Sequence, residues 1–276
     1  MARSHRLSPL GKHGGGSPVI DPKGAQGVTL EEDGVQEPHR LEAVRWRLVT
    51  TGGYPTRFAV LATDRLRQRV VNGLDTSPDP EDFLLGGHEP SEAKERRWGR
   101  HSHAHWLWTE AEGRIEDLAL WVPAGLNPRQ VRRVAAVADL PRYENEPRGY
   151  LGGELELRGM GPAARVLHDI GAGLLSTVWA SATPVLTSWH FKDDEDREEQ
   201  LLRYVTRELT HRLGPEAPGV VAFEATEDRS YFTRRWDRAF PSHTAFRVLL
   251  QLSSPLVGPL CLGALSHFGF GRLEPQ

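Results

Sequence analysis

Three imidazoles stand at alternate positions, His101, His103 and His105, with an arginine, Arg100, directly ahead of them. On an extended strand, side chains two residues apart share a face. Histidine titrates near neutral pH, so such a row can give or take protons or hold a metal ion. A three-histidine zinc site is chemically sensible. Alternate positions on one strand nevertheless spread the rings over roughly 13 Å of backbone, at about 3.3 Å per residue. One strand therefore rarely brings all three to one ion. The bland alternative is a row of solvated histidines without chemistry. A second concentration lies between Asp228 and Arg272. Six arginines (Arg229, Arg234, Arg235, Arg238, Arg247 and Arg272) are opposed there only by Asp228 and Asp237. Tyr231, Phe232 and Trp236 are interleaved with them. Arginine neutralises phosphates and aromatic faces stack bases, so the mixture suits single-stranded or structured RNA. A solvated face with some core aromatics is the competing reading. Gly269 and Gly271 let backbone amides approach a phosphate closely, although a tight turn is the commoner explanation of such a pair.

The elements that must position these residues are legible as periodicities. Gly99–Pro123, GRHSHAHWLWTEAEGRIEDLALWVP, reads as strand, turn, strand, with Glu112-Gly113 at the reversal, where a residue tolerating positive φ is needed. Ahead of it, Ala43–Thr50 alternates with Val44, Trp46 and Leu48 on one face. Arg57–Leu74 has helical spacing. Phe58, Leu61, Ala62, Leu66, Val70 and Leu74 fall on its apolar side, and Arg57, Asp64, Arg67 and Gln68 on its polar side. After the hairpin, Asn127-Pro128 marks a helix start, followed by a stripe of Val131, Val134, Ala135 and Ala138. Gly153–Arg158 alternates again. The order strand, helix, hairpin, helix, strand is that of a ferredoxin-like unit, a fold that hosts many functions. The second half reads similarly. Its strands are expected within Leu174–Trp189, broken at Pro184, over Val220–Ala225 and over Ala245–Leu252. A helix is expected from the acidic run after Asp193 to Leu213, and a glycine-studded segment over Leu260–Leu273.

The 276 residues contain 38% hydrophobic and 26% charged side chains, which fits a soluble globular chain. One cysteine, Cys261, excludes an internal disulfide framework and a cysteine-based zinc cluster. Together with the lack of a long apolar run or a secretory signal, this points to the cytoplasm. A net charge of -3 makes any nucleic-acid site a local patch. Residues 1–40, with HGGGSP, PKGAQG and EEDGVQEP, read as a disordered tail or linker. The expected domains are 41–162 and 163–276.

Four stretches, RHSHAHWLW, GRIEDLALWVPAGL, WASATPVLTSWHFK and GPLCLGALSHFGFGRLEP, carry a family likeness in their order and spacing. The chain from about Ala43 to Pro275 resembles the C-terminal, RNA-processing half of the CRISPR-associated Cas five–six fusion protein of type I-G systems. That family belongs to the repeat-associated RNA-binding (RAMP) superfamily. The resemblance implies an α+β fold of tandem ferredoxin-like (RRM-like) domains with a glycine-rich loop near the C-terminus. It implies a metal-independent endoribonuclease that cuts CRISPR repeat RNA, with no cofactor. In this chemistry a 2′-hydroxyl attacks the adjacent phosphate and leaves a 2′,3′-cyclic phosphate. His101 and His103 match the family's histidine-x-histidine-alanine motif and are expected as base and acid, His103 being the deeper in the strand. His105, Arg100, Arg114 and His267 are expected in support. His190, Lys192, Arg229, Arg234, Arg235, Trp236, Arg238, Gly269, Gly271 and Arg272 are expected to contact RNA. Precursor and mature guide RNA are the implied partners, alongside other subunits of a CRISPR complex. Two departures stand out. The fusion carries a further Cas five-like half where this chain has its tail, and Asp117 stands where the family shows a histidine. A non-catalytic subunit that holds guide RNA is the alternative function, and a histidine-ligated metal hydrolase a third.

Overall fold

The computed structural model describes residues 40–72, 103–140, 152–187, 196–228 and 244–276. Of the expected tail only Arg40 is among them. The first strand, β1 (Ala43–Val49), buries Val44, Trp46 and Leu48 as its alternation requires. The short β2 (Tyr54–Pro55) and a 3-10 turn over Thr56–Phe58 lead into the helix α1 (Ala59–Val71). One expectation fails here. Asp64, assigned to the polar side, is buried, and its carboxylate accepts from Arg67 at 3.3 Å and from Gln68 at 3.1 Å. A period of 3.6 presumes one covered face, but α1 is covered on two. Ala62, Leu66 and Val70 meet the first sheet, while Val60 packs with Leu186, Ala245 and Phe270 of the second half.

The expected hairpin forms from β3 (His105–Ala111) and β4 (Arg114–Trp121). Its two turn residues, Glu112 (φ 52°) and Gly113 (φ 72°), both adopt positive φ, the geometry that matches the twist of paired strands. The helix α2 (Pro128–Ala135) starts as read. Asn127 Oδ1 accepts from the Gln130 amide and Gln130 Oε1 accepts from the Asn127 amide, each at 2.9 Å. Its stripe needs correcting. Val134 is buried, but Ala135 and Ala138 are exposed, because the helix stops at Ala135 and the buried side becomes Gln130, Val134 and Val137. The strands β5 (Asp139–Leu140) and β6 (Gly153–Gly161) complete the sheet. Its main order is β3-β4-β1-β6, all antiparallel, which is the ferredoxin-like arrangement.

A short helix, α3 (Ala163–Val166), leads to the second sheet. That sheet contains β7 (Leu175–Ser181), β8 (Val185–Thr187), β9 (Val220–Glu227), β10 (Thr244–Val257), β11 (Leu260–Cys261) and β12 (Arg272–Pro275). The helix α4 (Arg197–Leu213), capped by Asp196, packs Leu201, Tyr204, Val205 and Leu209 against it. The order β12-β7-β10-β9 repeats the pattern of the first sheet. The chain is therefore an α+β protein of two ferredoxin-like units in tandem. Where the second unit would place its last helix, residues 262–271 instead form a tight excursion with a 3-10 turn over Ser266–Phe268. This excursion is what carries the second half onto the first. Thr63 Oγ1 of α1 lies 3.3 Å from the Phe268 carbonyl oxygen, and Gly269 lies against the Trp108 indole. The other face of the first sheet (Ala43, Leu107, Ala119) packs with Leu167, Ile170, Ala172 and Cys261. No helix among the described residues is long and apolar enough to cross a membrane.

Candidate active site

His105 opens β3, and its side chain is buried where the row of histidines enters the sheet. His103 precedes the strand and is half-buried, whereas His105 lies within it and is buried. A third ring comes from the far end of the chain. His267, in the Ser266–Phe268 turn, lies with its centroid 3.9 Å from that of His103 and 4.5 Å from that of His105. The His103 and His105 centroids are 6.2 Å apart. The arrangement is thus two accessible imidazoles in contact, backed by a buried one. His105 is wedged against Trp121 at 4.9 Å, and its Nδ1 lies 3.3 Å from the Ser266 carbonyl. A carbonyl only accepts, so Nδ1 carries the hydrogen and Nε2 is left as the acceptor. Among the described residues, no group of three His, Cys, Asp or Glu side chains is disposed to hold one metal ion.

Electrostatics separate the rings by role. Burial holds the His103 imidazole below its usual range, and the Arg212 guanidinium adds to the effect. Burial does the same more strongly to His105, followed by the neighbouring His267, Arg212 and His103 charges, with the Ser266 carbonyl pulling the other way. Both rings are neutral at pH 7, the form that accepts a proton. For His105 this is also a statement about stability. The unfolded chain protonates this ring near pH 6.5 and the folded chain does not, so acidification favours unfolding. The contribution is whole above pH 6.5 and is lost as pH falls below it. The expected slope is about 1.4 kcal/mol per pH unit in that window. Urea unfolding of the wild type and His105→Gln between pH 5 and pH 7.5 measures it, and an unchanged slope in the variant would refute the assignment.

The other sequence-derived candidates divide sharply. Arg114 ends the hairpin at the opposite tip, paired with Ala111, and its guanidinium donates to the Gly52 carbonyl. Ala111 is six steps along β3 from His105, roughly 20 Å at about 3.4 Å per residue, so Arg114 does not join the histidines. Arg272, expected on RNA, has a buried side chain ion-paired with Glu274. Gly269 (φ 83°) and Gly271 (φ 62°) are also buried. A Cβ on Gly269 would lie 2.6 Å from Trp108 Cδ1, and one on Gly271 would lie 1.7 Å from the Leu262 carbonyl oxygen. Packing, rather than access for a phosphate, accounts for both. Asp117 pairs with Arg45 at 2.6 Å, and Arg45 reaches Asp169 at 2.6 Å on its other side. Asp117 is opposite Thr109, four residues along β3 from His105, so it does not touch the histidine cluster. The lone Cys261 is buried, and burial pushes its thiol up to about 11, out of range for a nucleophile. His101, Arg100, His190, Lys192, Arg229, Arg234, Arg235, Trp236 and Arg238 lie outside the described residues. Arg212 and Glu208 were missed altogether. In the sequence they read as surface charges near the end of a helix.

In its fold of two sheets of one topology, the chain is similar to solved structures of CRISPR-associated proteins. One is titled CRISPR associated protein Cas6, 9% identical, matching over 87% of this chain and 100% of that one, with a TM-score of 0.42. A Cas6-related protein from Pyrococcus furiosus is 10% identical over 85% and 98% of the two chains, with a TM-score of 0.43. Cas6b is 11% identical over 85% and 100%, with a TM-score of 0.44. No family model and no curated protein matches the sequence.

Proposed function

We propose that the chain binds CRISPR repeat RNA and cuts it by metal-independent acid–base chemistry, releasing guide RNA that ends in a 2′,3′-cyclic phosphate. The observation that carries this reading is the contact between two half-buried imidazoles, His103 and His267, delivered from different sheets onto the buried His105. The motif resemblance supplies RNA as the substrate. His103, neutral at pH 7, removes the proton of the ribose 2′-hydroxyl. The 2′-oxygen attacks the adjacent phosphorus, a new P–O2′ bond forms and the P–O5′ bond breaks. His267, as imidazolium, gives its proton to the departing 5′-oxygen. Exchange with water then restores both rings. Arg100 and His101 stand by resemblance as further participants. Arg229, Arg234, Arg235, Trp236, Arg238, His190 and Lys192 would hold the repeat through phosphate contacts and stacking. Domains of 41–162 and 163–276 would share the substrate between them.

The test is incubation of the purified chain with the repeat RNA of its own genome in EDTA, under single-turnover conditions across pH 5 to 8. A single cut is expected, with a cyclic-phosphate end and no loss on chelation. The acid limb of the rate should have its midpoint below pH 6.5, because burial and Arg212 depress His103. Tight binding without a cut would instead make the chain a guide-holding subunit, and neither binding nor cutting would reject RNA as its substrate.

A further inference from the structure

The segment that carries His267 holds only a single 3-10 turn in place of an α-helix, and its backbone is unusual. Leu265 adopts φ 56°, a left-handed conformation that non-glycine residues rarely keep unless their surroundings enforce it. The enforcement comes from the last two turns of α4. Glu208 Oε2 accepts from the Gly263 amide at 3.1 Å and from Arg212 Nη2 at 3.2 Å. The same Arg212 nitrogen donates to Ser266 Oγ at 2.8 Å. Arg212 has a side chain only 8% exposed and Glu208 one 22% exposed, so the ion pair works with little screening by water. The two residues are four apart on α4, which puts both on the side facing the turn. Ser266 is also the residue whose carbonyl meets His105 Nδ1, and His267 follows it directly. One clamp therefore fixes both contacts of the turn with the histidines of the first half.

We propose that Glu208 and Arg212 are positioning residues, holding residues 263–267 in the one register that keeps His267 against His103. The proposal rests on the RNA-cleaving reading above, and its test is built to fail separately from it. Glu208→Gln weakens the clamp and leaves the Arg212 charge unbalanced, whereas Arg212→Met removes both the clamp and the cation. Each should lower the single-turnover cleavage rate by roughly 10–100-fold, the scale of misplacing a catalytic group by about an ångström, with repeat-RNA affinity unchanged. Arg212→Lys should recover part of the rate, since one ammonium can still bridge Glu208 and Ser266.

A merely structural role would not predict the pH response. Among the described residues, the charged and titratable groups facing His103 include His105, His267 and Arg212, with Glu208 behind the last. Losing the Arg212 cation should move the His103 titration up toward 6.5, and losing the Glu208 anion should move it down. Histidine NMR titration of the RNA-free protein reads this whether or not the chain cuts RNA. Opposite shifts support the clamp even if the wild type proves only to bind. Equal losses of rate with no shift in either variant, or no loss of rate with the His103–His267 contact intact, overturn it.

Discussion

Replacing His103 with alanine is expected to lower the single-turnover cleavage rate by roughly 10²–10⁴-fold, the usual contribution of a general base or acid, while leaving affinity for the repeat RNA unchanged. The size follows from where the ring sits. His103 is half-buried, in contact with the His267 ring, and precedes β3 rather than contributing to its pairing. The residue is therefore placed to meet a substrate without being part of the core. Its ring is neutral at pH 7 because burial and Arg212 disfavour the imidazolium. His267→Ala should fall in the same range, and the double variant should be little worse than either single one, because groups that act as a unit are non-additive. A loss of less than tenfold in His103→Ala, with the chain still cutting the repeat, would remove His103 from the mechanism.

Trp108→Ala is expected to destabilise the chain by about 3–5 kcal/mol, as for other large-to-small changes of a buried aromatic residue, and to lose cleavage before it loses fold. Trp108 is 1% exposed on the core face of β3, within the cluster of Trp46, Trp106, Leu118 and Leu66. Its indole also forms the floor under Gly269, two residues beyond His267. Truncation opens a cavity in the first core and removes the support of the turn that carries the site. Urea unfolding followed by circular dichroism measures the first effect. Cleavage at a temperature where the variant is still folded measures the second. A destabilisation under about 1 kcal/mol would show that the site relaxes around the vacancy, and full activity in the folded variant would show that the turn does not depend on this floor.

The parts of the molecule legible in the sequence are those decided by neighbours along the chain. Glu112-Gly113 specifies its hairpin because only a turn with two positive φ values joins adjacent strands with the right twist. Asn127-Pro128 specifies a helix start because one side chain satisfies an orphan amide and the next residue lacks one. Val44, Trp46 and Leu48 are buried because alternation has only two faces to choose from. From such signals the element order of the first half, and with it its ferredoxin-like topology, can be read, whereas the tandem repeat was implied by the motif resemblance. Where a helix was covered on a second side, as α1 is at Val60 and Asp64, the pattern misled, since periodicity does not say how many neighbours an element has.

The site was legible only in its first component. His103 and His105 declared themselves by type and spacing, but that one is buried in β3 and the other stands half-buried ahead of it depended on where the strand begins. Arg114 and Arg272 looked like cations available to a phosphate. The fold sends one to the far tip of the hairpin and buries the other beside Glu274. Arg212 carried no signal, yet it is the cation that reaches His103 and His105.

By itself, then, the sequence determined the local elements, the order that assembles them into two sheets, and the presence of a histidine row at the mouth of a hairpin. Only the tertiary structure decided what that row meets. The Ser266 carbonyl and His105 are 161 residues apart in sequence, and no short-range rule connects them. They come together because residues 262–271, lacking an α-helix, are pressed by Glu208 and Arg212 on one side and by Trp108 on the other into the gap between the two units. Contacts of that kind are set by packing and by the satisfaction of buried polar groups over the whole molecule.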